Sequence, residues 1–275
     1  MSGATLTVNA PAGCTVTVSK DGKTKTKTAG ADGVVVFLGL ETGDWTCNMV
    51  SADGTQTMQP KSYHITAGYE ISLTFFAATI HVTYPAGSTC TATDGVTTLA
   101  APDTSGTWAC VVPNAGMWTV SLDSGFSETV SITQSGQTIV IDKWHLFRDG
   151  DHCAAVTGGW EATPVDGVIG GTLSFSDGEM VLVGNNKDNR VDASCKSLDS
   201  GILARFTKVG VHVTYASGEA LAARIVDNLT NKTTIAQVTF SGAGDYSLLL
   251  DGISEGQIIM LAYKGTLKAT KIWLE

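Results

Sequence analysis

Charge is scarce in this chain. Of its 275 residues 16% are charged, against about a quarter in a typical soluble domain. The formal net charge is −9, and the 17 lysines and arginines form no run beyond the alternating Lys23, Lys25 and Lys27. Nucleic-acid binding draws on clustered cations that release counterions, so DNA and RNA are excluded as partners. Long apolar runs are absent too. Segments such as 75–80 and 258–263 fall far short of the roughly 20 residues that span a bilayer, so no membrane insertion is expected. Met1-Ser2-Gly3 leads straight into an alternating segment, without a basic region and an apolar stretch behind it. No signal peptide is read there, and synthesis in a cytosol is expected. In place of charge stand 31 glycines and 37 threonines. Turn-formers and β-branched residues make strands and poor helices, which excludes coiled coils and helix bundles.

Catalytic and metal signatures are equally thin. The six cysteines, Cys14, Cys47, Cys90, Cys110, Cys153 and Cys195, show no CxxC spacing and no pairing with histidine. With cytosolic synthesis they read as small buried thiols. His64, His81, His145, His152 and His212 are scattered; His81 and His212 lie between apolar neighbours on alternating segments and should face outward. There is no HExxH, no nucleophile elbow and no phosphate loop. Asp149, Asp151, Glu161 and Asp166 lie close in sequence, but Gly150 and Pro164 put them in loops. A glycosidase needs two carboxylates facing one cleft, and solvated turn acids do not supply them. No enzyme activity and no cofactor are expected, although these acids could hold a structural calcium.

The first half is a tandem repeat. Leu6-Thr-Val-Asn-Ala-Pro-Ala-Gly13 returns as Ile80-His-Val-Thr-Tyr-Pro-Ala-Gly87. Gly33-Val-Val-Val-Phe37 and Gly43-Asp-Trp-Thr-Cys47 return 73 positions later, as Gly106-Thr-Trp-Ala-Cys110 and Gly116-Met-Trp-Thr-Val120. Ile65-Thr66 and Ile132-Thr133 make a third matched pair. Three blocks in one order define a repeat, and each unit reads as short strands and turns, a small β-sandwich. Trp45 and Trp118 fall on the inner face as core anchors. Cys47 aligns with Val120, Cys110 with Phe37 and Cys90 with Val16, so cysteine exchanges with ordinary core residues.

This pattern resembles the immunoglobulin-like repeats of PEGA-type and collagen-adhesin B-type domains, over residues 4 to about 142. Some adhesin domains of this kind carry a lysine–asparagine crosslink. No lysine occurs between Lys61 and Lys143, so the second unit cannot form one, and nothing in the first supports it.

Near residue 143 the texture changes. Arginine appears for the first time at Arg148, and threonine thins from 26 in the first 150 residues to 11 in the rest. Eight or nine strand candidates follow, which suits a jelly roll. The expected fold class is all-β: sandwiches over 1–76 and 77–142, then a jelly-roll sandwich over 143–275. A competing division makes 209–275 a third repeat, because Val211-His-Val-Thr-Tyr-Ala-Ser-Gly218 echoes the segment 80–87. That would strand about 65 residues without a core of their own.

The last segment resembles the carboxy-terminal domains of phage and prophage tail and fibre-like proteins. The resemblance lies in Leu146-Phe-Arg-Asp-Gly-Asp-His-Cys153, Val156-Thr-Gly-Gly-Trp160 and the closing strands from Tyr246 to Glu275. The closing strands also look like those of carbohydrate-binding modules. The implied protein is a virion component, a tail fibre or tail-associated adhesin displaying a glycan-binding module for host attachment. Its implied partners are other virion proteins, a host-surface glycan and further copies of itself, with the virion as its location. A capsid or tail decoration protein is the alternative, a polysaccharide depolymerase a more distant one, and a bacterial cell-wall adhesin would need a sorting motif not seen here. The candidate ligand-binding residues are Asn185, Asn186, Asp188 and Arg190 of a polar loop, with Trp160 or Tyr215 as the flat ring on which a sugar stacks.

Overall fold

The computed structural model describes residues 3–54, 56–58, 60–152, 159–164, 169–185, 191–195 and 201–275. Its contacts gather into two compact units. One comprises Met1–Thr79, Val111–Ala115 and Ile132–Gln137; the other comprises Ile80–Cys110, Gly116–Ser131 and Thr138–Glu275. The described residues form strands and one short 3-10 turn at Ile202–Arg205.

The first seven strands are β1 (Ala4–Asn9), β2 (Thr15–Lys20), β3 (Lys23–Thr28), β4 (Val34–Leu40), β5 (Gly43–Val50), β6 (Lys61–Ile65) and β7 (Tyr69–Ser72). They make two sheets, ordered β4-β1-β7 and β3-β2-β5-β6. Alternation builds the core: Leu6, Val8, Val16, Val18, Phe37, Trp45, Cys47 and Met49 are buried between them. Asp21 and Gly22, both at positive φ, make the two-residue turn from β2 to β3, the geometry that favours such hairpins.

The alternating lysines have a structural use. On β3, Lys25 pairs with Val18 and Lys27 with Val16, so both sit on the core side of an edge strand. There they cross to the other sheet. Lys25 Nζ donates to Leu38 O at 2.8 Å and Lys27 Nζ to Val36 O at 2.6 Å, while Lys23 pairs with Glu41. Inward-pointing charge of this kind closes sheet edges against pairing with other chains.

The next seven strands are β8 (Ala78–Thr83), β9 (Cys90–Thr93), β10 (Thr98–Ala100), β11 (Thr107–Val112), β12 (Gly116–Leu122), β13 (Ser127–Ile132) and β14 (Thr138–Ile141). Their sheets run β11-β8-β14 and β10-β9-β12-β13, the order of the first seven strands repeated. Trp118 is fully buried, as Trp45 nearly is. Leu99 pairs with Ala92 on β9, in the place where Lys25 pairs with Val18.

Ten strands follow: β15 (Trp144–Arg148), β16 (Asp151–His152), β17 (Trp160–Thr163), β18 (Gly171–Ser176), β19 (Glu179–Asn185), β20 (Val191–Cys195), β21 (Lys208–Val226), β22 (Thr234–Thr239), β23 (Gly244–Leu249) and β24 (Gln257–Leu274). The two long strands β21 and β24 pair antiparallel along their length and belong to both halves of a jelly-roll sandwich. In one half they are flanked by β20, β17 and β22, in the other by β19, β18, β15, β16 and β23. Through β24, which pairs with both β15 and β21, residues 209–275 join the strands that precede them. They share one sheet with residues 144–152.

Four glycines mark where this sheet folds over. Gly171 on β18 pairs with Gly184 on β19, Gly184 with Gly265 on β24, and Gly265 with Gly218 on β21. A Cβ on any of the four would lie 2.0–2.2 Å from a backbone carbonyl oxygen. Gly218 and Gly265 also hold φ of +125° and +130°, a region only glycine enters without strain.

Composition changes near 143, but packing continues across it. Trp144 Nε1 donates to Thr83 O at 3.0 Å, Arg205 pairs with Asp123 at 3.0 Å, and the rings of Phe126 and Phe206 meet edge to face at 5.6 Å. Glu128, on β13, is buried; its carboxylate accepts from the His145 amide and ring and from Arg148.

Candidate functional site

The solvent-facing side of the β18-β19-β24-β21 sheet carries an exposed ring, Tyr215. Its inner side carries Met180, Leu182, Leu267, Ala269 and Val213, all fully buried. The alternate residues must face outward, because successive strand side chains point to opposite sides. Registers set them in two rows across four strands. One runs Ser174, Val181, Lys268, Tyr215; the next runs Thr172, Val183, Thr266, Ser217.

Tyr215 is 48% exposed. The register slips between Val213 and Tyr215, a bulge at Thr214, and bulges re-aim side chains at the edge of a sheet. The Thr214 hydroxyl donates to Glu179 Oε1 at 2.6 Å, and Lys268 Nζ donates to Glu179 Oε2 at 2.9 Å. These two bonds, the threonine hydroxyl's first, hold the Glu179 carboxyl below the usual carboxylate range. The result is a flat surface of hydroxyls and small aliphatic groups around one phenol ring, with its nearest acid and base bonded to each other. Such a surface can stack a sugar ring and bond its hydroxyls.

The sequence-derived candidates divide. Tyr215 stands on this surface. Asn185 is exposed at the end of β19, one step beyond Gly184 and opposite Lys264. Trp160 is 3% exposed and pairs with Cys195, itself buried. It belongs to the interior and presents no ring face to solvent. The reason is β alternation: on β17 Trp160 takes the core side, while Glu161 takes the other. Asn186, Asp188 and Arg190 lie outside the described residues. Thr214, Glu179 and Lys268 escaped the sequence reading, because only register joins residues 35 and 89 positions apart.

Two other polar clusters are structural. Glu128 ties β13 to β15. Lys232 and Asp192 form a buried ion pair at 2.9 Å, and the lysine also donates to Pro164 O at 2.9 Å, which pins the 227–233 loop against β17 and β20. Of the acids proposed for calcium, Asp149 and Asp151 border the β15–β16 turn, Glu161 is on β17, and Asp166 lies outside the described residues. Among the described residues no three metal-ligating side chains converge.

No protein-family model matches the chain, and no curated protein matches it. Among solved structures it is similar to a mutant of a family 29 carbohydrate-binding module, over 48% of this chain and 89% of that one, with 13% identity and a TM-score of 0.35. It is also similar to the GBS52 minor pilin of Streptococcus agalactiae, over 50% and 94%, with 14% identity and a TM-score of 0.33. A low-affinity xylan-binding module from Roseburia intestinalis matches over 43% and 96%, with 17% identity and a TM-score of 0.30.

Proposed function

We propose that this protein is a non-catalytic glycan-binding protein whose binding surface is the outward side of β18, β19, β24 and β21. The observation that carries this reading is Tyr215, a half-exposed ring on an open sheet lined by Thr172, Ser174, Thr266 and Ser217. Apolar rings with a few oriented polar groups are the usual make-up of small-molecule sites. Hydrolysis finds no support here, since the carboxylate beside the ring is engaged by Thr214 and Lys268 and a glycosidase needs two acting together. A single shallow surface binds weakly, and presentation in several copies raises the avidity.

Display on a phage particle for host attachment is the finer form of this proposal. It is supported by the resemblance of residues 146–160 and of the closing strands to tail and fibre-like proteins. A decoration protein on capsid or tail would use the same surface without standing at the tip.

The test is binding of the labelled protein to host cells before and after periodate oxidation of surface glycans, with Tyr215→Ala beside the wild type. Binding that periodate abolishes, and that Tyr215→Ala lowers at least tenfold (about 1.4 kcal/mol), is the expected result. Absence of binding by protein multimerised on beads would overturn the reading.

A further inference from the structure

We infer that the surface around Tyr215 selects a neutral glycan over an acidic one, that the chain lies across the strands, and that Glu179 enforces the selection by occupying Lys268. This inference rests on the glycan-binding reading above and specifies the ligand class of that site.

Val181, Val183 and Tyr215 supply apolar area, while Thr172, Ser174, Thr266 and Ser217 supply neutral hydroxyls that both donate and accept. The rows cross four strands spaced about 4.8 Å apart, so the surface is about 14 Å wide. An extended run of roughly three pyranose rings, each about one strand spacing long, covers that width.

Charge decides the rest. Recognition of a uronate, sialate or phosphate group calls for a cation free to make charge-assisted hydrogen bonds. Lys268 is the cation within the rows, and its Nζ lies 2.9 Å from Glu179 Oε2. Glu179 is fixed in turn by Thr214, whose hydroxyl reaches its other oxygen at 2.6 Å, so the carboxylate cannot swing away without losing two bonds. An incoming anion meets a cation already neutralised and a carboxylate beside it. Like-charge contacts of this kind reject wrong ligands, which makes Glu179 a specificity device. Lys264 lies beyond the glycine row, in register with Asn185 and Glu219, and is outside the two rows.

The experiment uses the full chain on an array of neutral oligosaccharides and their uronic-acid counterparts, matched in linkage and length. The wild type should bind neutral members of three or more sugars and discriminate against the acidic ones. Glu179→Gln frees Lys268 and should raise the acidic-to-neutral affinity ratio at least fivefold. Adding Lys268→Met to that variant should return the ratio to the wild-type value, and thermal melts of all three proteins confirm that they fold. Preference of the wild type for acidic glycans, or an unchanged ratio in folded Glu179→Gln, overturns the inference while leaving glycan binding intact. Binding to neither set overturns the glycan reading as well.

Discussion

Gly218 and Gly265 face each other across the two longest strands, and each fills the space a side chain on the other would need. A Cβ on Gly218 would lie 2.6 Å from the Gly265 Cα, and one on Gly265 would lie 2.7 Å from the Gly218 Cα. Both strands pass there from one half of the sandwich to the other. The glycines supply the positive φ and the close approach that let two paired strands turn together. On β24 the buried Leu267 and Ala269 follow this point, while Tyr263, Leu261 and Ile259 before it pack with Ala222, Val226 and Leu229.

Gly265→Ala should therefore be among the most damaging substitutions in the chain. A non-glycine residue in that backbone region costs about 1–3 kcal/mol, and the contact with Ser217 O at 2.0 Å adds to it. Urea unfolding followed by tryptophan fluorescence should show the midpoint falling by an amount equivalent to at least 3 kcal/mol in order of magnitude. At Gly54, where no atom lies within 4 Å of the added Cβ although φ is also positive, alanine should cost much less. Equal losses at the two positions would refute the corner mechanism.

Removing the lysines that close the first sandwich should change association more than stability. Lys25→Ala with Lys27→Ala leaves the carbonyls of Leu38 and Val36 uncapped on an edge strand. Exposed ion pairs and bonds contribute little to folding, about 0–1 kcal/mol each, but an open edge invites strand pairing. Light scattering should show concentration-dependent self-association in the variant with a small change in melting temperature. A variant as monodisperse as the wild type would show that these lysines do not guard the edge.

Acid should loosen the link between β13 and β15. Burial pushes the Glu128 carboxyl up, but the bonds from the His145 ring and amide, and the charges of His145 and Arg148, outweigh it and hold the carboxyl below its usual value. Asp142 and Lys143 line the same hollow. A carboxylate depressed on folding stabilises the folded state above its unfolded pKa, and that contribution is lost as pH falls through the folded value. Between pH 6 and 3 the wild type should lose more stability than Glu128→Gln. Parallel pH curves for the two proteins would contradict this.

The thiols should be silent in the folded protein. Burial raises Cys47 to about 11 and Cys110 to about 11. Cys90 is raised to about 12, by burial first and then by Cys110. At pH 8 the reactive thiolate is scarce and shielded, so Cys47, Cys90 and Cys110 should escape maleimide labelling until denaturant is added, as peptide mapping would show. Rapid native labelling of Cys90 would be inconsistent with its place in the core.

Much of this architecture is written locally. Alternation in Leu6-Thr-Val8 or Val16-Thr-Val18 makes strands and says which side is buried, since a strand has a period of two and water rejects the apolar side. The matched blocks at Gly33 and Gly106 announce two copies of one strand plan, and both sheets of each copy follow the same order. Trp45 and Trp118 could be placed in the core because an aromatic on the inner side of a small sandwich has nowhere else to go.

What lay beyond reach of the sequence are relationships between distant strands. Trp160 and Tyr215 both looked like sugar platforms, and only the pairing of Trp160 with Cys195 and the bulge at Thr214 put one ring inside and the other outside. Glu179, Thr214 and Lys268 carry no local mark, because a sheet surface is assembled by hydrogen-bond register between segments far apart in the chain. Composition and periodicity of the sequence determined an all-β protein with repeated sandwiches and no visible catalytic set. Tertiary structure decided on which side of its sheet Tyr215 is exposed, because register and the four aligned glycines depend on which strands meet, and no single strand encodes its neighbour.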